Sequence, residues 1–182
     1  MGERMTVDGA QLPVLVVMGV SGCGKSTVAG IVAGRLGWDL AEGDDMHPPS
    51  NVAKMAAGTP LTDDDRRPWL DVVAGWIREH TAAGRPGVIT CSSLRRAYRD
   101  RMRDGNGGGV VFVYLAGTRE LIGSRLAART GHFMPAGLLD SQFAALEPPA
   151  PDEPAVEIQI GPAPDVLAAE VIARLGLTPI TA

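Results

Sequence analysis

The segment Gly19-Val20-Ser21-Gly22-Cys23-Gly24-Lys25-Ser26 constrains this chain more than any other. It fits G-x-x-x-x-G-K-[ST] without a gap. It follows an apolar run, Val14 to Met18, and opens a helical pattern over Ser26 to Leu36. Glycines in such a loop let backbone N–H groups turn inward around phosphate oxygens. The helix N-terminus behind them adds partial positive charge. Lys25 is then the cation for the β- and γ-phosphates, and Ser26 a ligand for Mg²⁺ with Thr27 as an auxiliary. Gly19, Val20, Ser21, Gly22, Cys23, Gly24, Lys25, Ser26 and Thr27 are thus the expected nucleotide-binding residues, Cys23 serving as a small spacer.

The rest of the chain repeats the strand-then-helix order. Strands are expected at Val14–Met18, Trp38–Ala41, Val88–Cys91, Val110–Leu115 and Val156–Ile160, the first and third of them buried. Helices are expected at Ser26–Leu36, Asn51–Ala57, Leu94–Arg103, Thr118–Arg129, Leu138–Leu146 and Pro164–Leu175. A further long helix runs to His80; with Pro68 confined to its first turn, Asp65 is the expected N-cap. Alternation of this kind predicts an α/β fold with a parallel sheet covered on both faces. At about 150 residues per domain, 182 residues give one domain, 13–182, behind a flexible leader, 1–12.

Composition narrows the partners. Lysine and arginine number 17 against 21 acidic residues, a net charge of −4, which speaks against nucleic acid and anionic membranes. The apolar run Leu12 to Val20 is too short to span a bilayer. Two cysteines make no disulfide framework, so free thiols in a reducing cytoplasm are expected. Aromatic residues are only 4%, which predicts an aliphatic core.

No aspartate ends the third or fourth predicted strand; Cys91-Ser92 and Ala116-Gly117 stand there. The acidic groups follow the second strand, at Glu42, Asp44 and Asp45. Glu42 and Asp44 are two apart and, in an extended segment, project to one side. Beside a phosphate loop, one carboxylate suits the Mg²⁺ water shell and the other suits an acceptor hydroxyl.

Several further segments carry a family resemblance. Glu42-Gly-Asp-Asp-Met-His-Pro48 is followed by Asn51, Lys54-Met55 and Gly58, then Asp63-Asp-Asp-Arg66 and Pro68-Trp-Leu70. Cys91-Ser-Ser-Leu94, Tyr98-Arg-Asp100, Gly131-His-Phe-Met134, Gln142-Phe143 and Leu146-Glu-Pro148 complete the set. Together they resemble the gluconate kinases of the thermoresistant gluconokinase group, relatives of shikimate kinase and the nucleoside monophosphate kinases. The resemblance covers about Val14 to Leu175. It implies a P-loop nucleoside triphosphate hydrolase fold with a five-stranded parallel sheet, and a lid around 125–137. It implies phosphoryl transfer from ATP, with Mg²⁺, to the 6-hydroxyl of D-gluconate, in a homodimer.

Roles follow from that reaction. Asp44 matches the family's acidic position facing the acceptor, and Glu42 is expected to hold a Mg²⁺-bound water beside Ser26. Gluconate carries a carboxylate and hydroxyls, so cations and polar donors are needed: Arg66, Arg99, Lys54, His47, Tyr98 and His132. Arg125 and Arg129, four apart on one helical face, suit a lid that brings guanidinium groups onto the phosphates. Gly161, Pro162 and Ala163 are expected at the edge of the adenine pocket. Bland roles are expected elsewhere: Asp63 and Asp65 as helix caps, Trp69, Trp76 and Cys91 as core, His80 against helix carbonyls.

Overall fold

The computed structural model describes residues 13–106, 108–128 and 136–180. The expected leader, 1–12, and the expected site residues Arg129 and His132 lie outside these described residues. The elements run β1 (Val14–Met18), α1 (Lys25–Leu36), β2 (Asp39–Glu42), a 3-10 turn (Gly43–Met46), α2 (Pro49–Ala56) and α3 (Asp63–Ala82). They continue β3 (Gly87–Thr90), α4 (Arg96–Arg103), β4 (Val110–Ala116), α5 (Arg119–Ala127), α6 (Ala136–Ala145), β5 (Ala155–Gln159) and α7 (Pro164–Arg174). All five strands pair in parallel, in the order β2-β3-β1-β4-β5. β1 is central, so the loop after it leaves from the middle of the sheet's carboxyl edge, where open α/β sheets bind ligands.

Period-two alternation assigns each face. Leu15 and Val17 of β1, with Val111, Val113 and Leu115 of β4, pack on one side with α1 and α7. Val14, Val16 and Met18, with Val110, Phe112 and Tyr114, pack on the other with α3 and α4. The expected aliphatic core holds for the buried residues of the first face only. The second buries Trp69, Tyr98, Phe112 and Tyr114, so the few aromatics are concentrated there rather than absent.

Two helix starts differ from expectation. The cap of α3 is Thr62, not Asp65: Thr62 Oγ1 accepts from Asp65 N at 3.2 Å and Asp65 Oδ2 accepts from Thr62 N at 2.9 Å. This reciprocal capping box satisfies two orphan donors at once. Pro68 is therefore inside the helix, and its missing N–H falls opposite the carbonyl of Asp64, in a water-exposed turn. α4 begins at Arg96 rather than Leu94, and Glu147 Oε2 caps it by accepting from Arg96 N at 2.7 Å. Thr118 caps α5 as expected, accepting from Leu121 N at 3.2 Å.

Candidate active site

The phosphate loop is built by backbone geometry. Gly22 and Gly24 take φ of 82° and 100°, a left-handed conformation suited to glycine. A Cβ on Gly22 would lie 2.7 Å from Leu126 of α5, so glycine is also what lets α5 sit on the loop. Lys25 Nζ donates to the carbonyls of Gly19 at 3.1 Å and Val20 at 3.2 Å, holding the ammonium over the loop. A cleft of about 500 Å³ opens beside it, lined by Gly22, Cys23, Gly24, Thr27, Arg125 and Gly161–Ala163 among others. Arg125 is anchored there by donation to Ile160 O at 2.5 Å. Burial raises the Cys23 thiol above its ordinary pKa, which leaves it uncharged and suits its spacer role.

Glu42 and Asp44 are not presented by one extended segment. The strand ends at Glu42, and Gly43 starts the 3-10 turn that carries Asp44. A Cβ on Gly43 would meet Thr90 O at 2.1 Å, so no other residue fits this crossing. Gly43 N donates to Thr90 Oγ1 at 3.2 Å, and Gly43 O accepts from Trp69 Nε1 at 2.7 Å. The turn sends the two carboxylates to separate tasks. Glu42 Oε2 accepts from Ser26 Oγ at 3.0 Å and from Thr90 Oγ1 at 2.6 Å. Asp44 lines a second cavity of about 190 Å³.

That cavity is also lined by Ser21, Lys25, His47, Arg66, Trp69, Tyr98 and Gln142, among others. His47 stacks on Trp69 with ring centroids 4.0 Å apart. Burial pushes its pKa down, so the neutral ring prevails at pH 7. Its tautomer follows from its neighbour. Asn51 Nδ2 donates to Asp65 O at 2.8 Å and lies 3.2 Å from His47 Nδ1. Only an amino group can donate to that carbonyl, so Nδ1 is the acceptor and the imidazole proton sits on Nε2. Arg66 lies over the Tyr98 ring, its guanidinium carbon 5.9 Å from the centroid. The Tyr98 hydroxyl donates to Asp63, whose carboxylate also pairs with Arg95 at 3.1 Å and Arg66 at 3.7 Å. These donors and cations hold Asp63 below the ordinary carboxylate range; it organises the pocket rim rather than capping α3.

Two expected acceptor residues are elsewhere. Arg99 is 0% exposed and closes a bidentate pair with Glu153, at 2.6 and 2.8 Å. Its remaining terminal nitrogen donates to the carbonyls of Ser93 at 2.9 Å and Glu147 at 3.0 Å. One residue along a helix is a rotation of about 100°, which is why Tyr98 faces the cavity and Arg99 faces the core. Lys54 donates to both oxygens of Asp65, at 2.7 and 2.8 Å, and is not among the cavity-lining residues. Thr90 escaped the sequence reading altogether, and Asn51, Trp69 as a hydrogen-bond donor and Gln142 were quoted within motifs without a role in the site. The pairing Glu42↔Thr90 across β2 and β3 is the one signal that would have found Thr90. A wider surface groove of about 560 Å³ beside Asp100, Arg103 and Val110 lies at the opposite, amino end of β4 and shares none of these groups.

Comparison with known proteins agrees with this geometry. The family described as an AAA domain matches residues 14–149. A gluconokinase of Gluconobacter oxydans is 49% identical over 172 residues, 94% of this chain and 96% of the relative. A solved gluconokinase from Sinorhizobium meliloti is 40% identical with a TM-score of 0.85, covering 91% of this chain and 93% of the other. An unliganded sugar kinase from Janibacter superposes with a TM-score of 0.86 at 44% identity, covering 91% and 95%.

Proposed function

The chain belongs to the gluconokinase family, and from that premise we propose that it transfers the γ-phosphoryl group of ATP to the 6-hydroxyl of D-gluconate. One observation carries the reading: the phosphate loop is a wall shared by two cavities. Gly22, Cys23, Gly24 and Thr27 face the larger cleft, and Ser21 and Lys25 face the smaller pocket. A nucleotide in the first presents its terminal phosphate to an acceptor in the second. Phosphoryl transfer depends mainly on such positioning and on charge stabilisation.

Each residue then has a task. Lys25 exchanges its carbonyl partners, Gly19 and Val20, for phosphate oxygens. The Ser26 hydroxyl and Glu42 carboxylate, 3.0 Å apart, form an all-oxygen pair that fits Mg²⁺, Ser26 directly and Glu42 through water. The ion, when bound, neutralises charge on the phosphate oxygens. Asp44 orients the 6-hydroxyl and takes its proton as the oxygen attacks phosphorus. Arg66, the other cation besides Lys25 among the described residues that line the pocket, takes the substrate carboxylate. His47 Nε2–H and the Tyr98 hydroxyl serve the intervening hydroxyls. Gly161–Ala163 border the adenine, Arg125 and Arg129 serve the phosphates, and His132 donates to the acceptor. Arg99 and Lys54 take no part. A homodimer and a cytoplasmic location belong to the same reading. Among the described residues no helix is long and apolar enough to cross a membrane.

The test is ADP release from Mg-ATP against D-gluconate, shikimate, glucose, glycerate and nucleoside monophosphates. Gluconate-dependent turnover well above the rest, abolished by Asp44→Asn in a folded protein, is expected. Preference for another acceptor would keep the chemistry and discard the substrate.

A further inference from the structure

The backbone N–H of Ser21 donates to Oε1 of Gln142 at 2.7 Å, across 121 positions of sequence. This ties the phosphate loop to α6. The bond also settles which way the carboxamide points, because only its oxygen can accept from an N–H. Both Nε2 protons are therefore turned away from Ser21. Among the described residues, no contact accounts for them.

Gln142 lines the acceptor cavity with Leu138 and Ser141, spaced i, i+3 and i+4 so that α6 presents them on one face. Leu138 has no side-chain donor, and the Ser141 hydroxyl donates to Leu138 O at 2.8 Å. Gln142 is then the α6 residue of this face whose donors are uncommitted. Its attachment to Ser21 puts it against the phosphate-loop wall of the pocket.

We propose that Gln142 is a specificity-determining residue of the acceptor site. Held by Ser21 N–H, it donates from Nε2 to the acceptor hydroxyl adjacent to the one that is phosphorylated, the C5 hydroxyl of gluconate. The role rests on the gluconate reading above. It makes recognition of a vicinal hydroxyl depend on a side chain that the phosphate loop itself orients. An acceptor lacking that hydroxyl leaves an amide donor unpaired in a half-enclosed site, and this penalises it more than a lost apolar contact would.

The experiment is a cycle of side chain against hydroxyl. kcat/KM is measured for D-gluconate and 5-deoxy-D-gluconate with the unsubstituted protein, Gln142→Ala and Gln142→Met. Acceptor Kd is measured in parallel by calorimetry, so that a slow variant still reports. The unsubstituted protein is expected to prefer gluconate by about 10- to 100-fold, the range that leaving a partly buried donor unpaired spans. Both variants should lose most of that preference, whatever change the lost Ser21 bond brings to the KM for ATP. Equal losses for the two acceptors, with the preference retained, would overturn the role and leave Gln142 as a prop for the loop. Absence of gluconate turnover and binding in the unsubstituted protein would overturn the kinase reading itself, and this role with it.

Discussion

The two cavities that share the phosphate loop as a wall are made in different ways. The nucleotide side is built largely from neighbours in sequence: Gly19 to Thr27 turn, cap a helix and aim their own N–H groups. The acceptor side collects Ser21, Asp44, Arg66, Tyr98 and Gln142 from five separate stretches of chain. A contiguous motif can be interpreted residue by residue, because local backbone geometry settles where each group points. An assembled pocket depends on which partner each polar side chain finds, and those partners lie far away in sequence. Arg99 and Lys25 mark the contrast: both basic, both in quoted motifs, one neutralised in the core and one held over the loop.

The largest expected effect tests that contrast from the structural side. Glu153→Ala removes the carboxylate that pairs with Arg99 and leaves a guanidinium buried at 0% exposure without its counter-charge. Breaking a buried pair in this way costs about 3–5 kcal/mol. The denaturant midpoint should fall accordingly, while KM for gluconate in the folded fraction stays unchanged. A raised KM with intact stability would return Arg99 to the acceptor site. Next comes Lys25→Met. Removing one preorganised group from developing charge costs about 10²–10³ in kcat, about 2.7–4 kcal/mol. The thermal midpoint should hardly move, because among the described residues Lys25 donates only to loop carbonyls.

The same contrast explains what was legible in the sequence. The strand-helix order, the phosphate loop and the Thr118 cap all rest on short-range rules, and the fold agrees with them to within a residue or two. The capping box of α3 was legible too, since Thr62 and Asp65 have the right spacing, but Pro68 drew the cap inward. Thr90, Trp69 Nε1 and Gln142 Oε1 were not legible. Each acts through one or two hydrogen bonds to distant backbone or carboxylate atoms, and nothing in their own neighbourhoods announces them. The Arg99 error has the same origin: the helix that carries it was foreseen, but its partner Glu153 lies 54 positions away in sequence.

Trp69→Phe sharpens the comparison at smaller scale. Phenylalanine keeps a ring for His47 to stack on and deletes the donor to Gly43 O. An orphaned buried carbonyl costs about 1–3 kcal/mol. Because Gly43 begins the turn that carries Asp44, kcat and the KM for gluconate should suffer while the KM for ATP does not. An equal loss on both substrates would mean that the turn supports the phosphate loop as much as the acceptor pocket.

The smallest effect belongs to Lys54, and it has a pH signature. The Lys54 ammonium, together with the Thr62 N–H, lowers the Asp65 carboxyl from 3.8 to about 2. A carboxylate held below its unfolded pKa adds stability that is fully present above that unfolded value. The contribution fades as pH falls from about 4 and is gone once the folded group protonates near 2. Lys54→Met removes the first cause and leaves the Thr62 bond, so Asp65 should titrate closer to its ordinary range. Thermal midpoints of the two proteins should therefore differ above pH 4 and converge as the pH approaches 2. Both side chains are water-accessible, at 42% and 18%, so the gap stays small and narrows further in salt. Gluconate KM should be the same in both. A KM that rises in Lys54→Met while the acid titration stays put would mean that the ammonium leaves Asp65 to meet the substrate, and that the acceptor pocket extends further along α2 than its empty shape indicates.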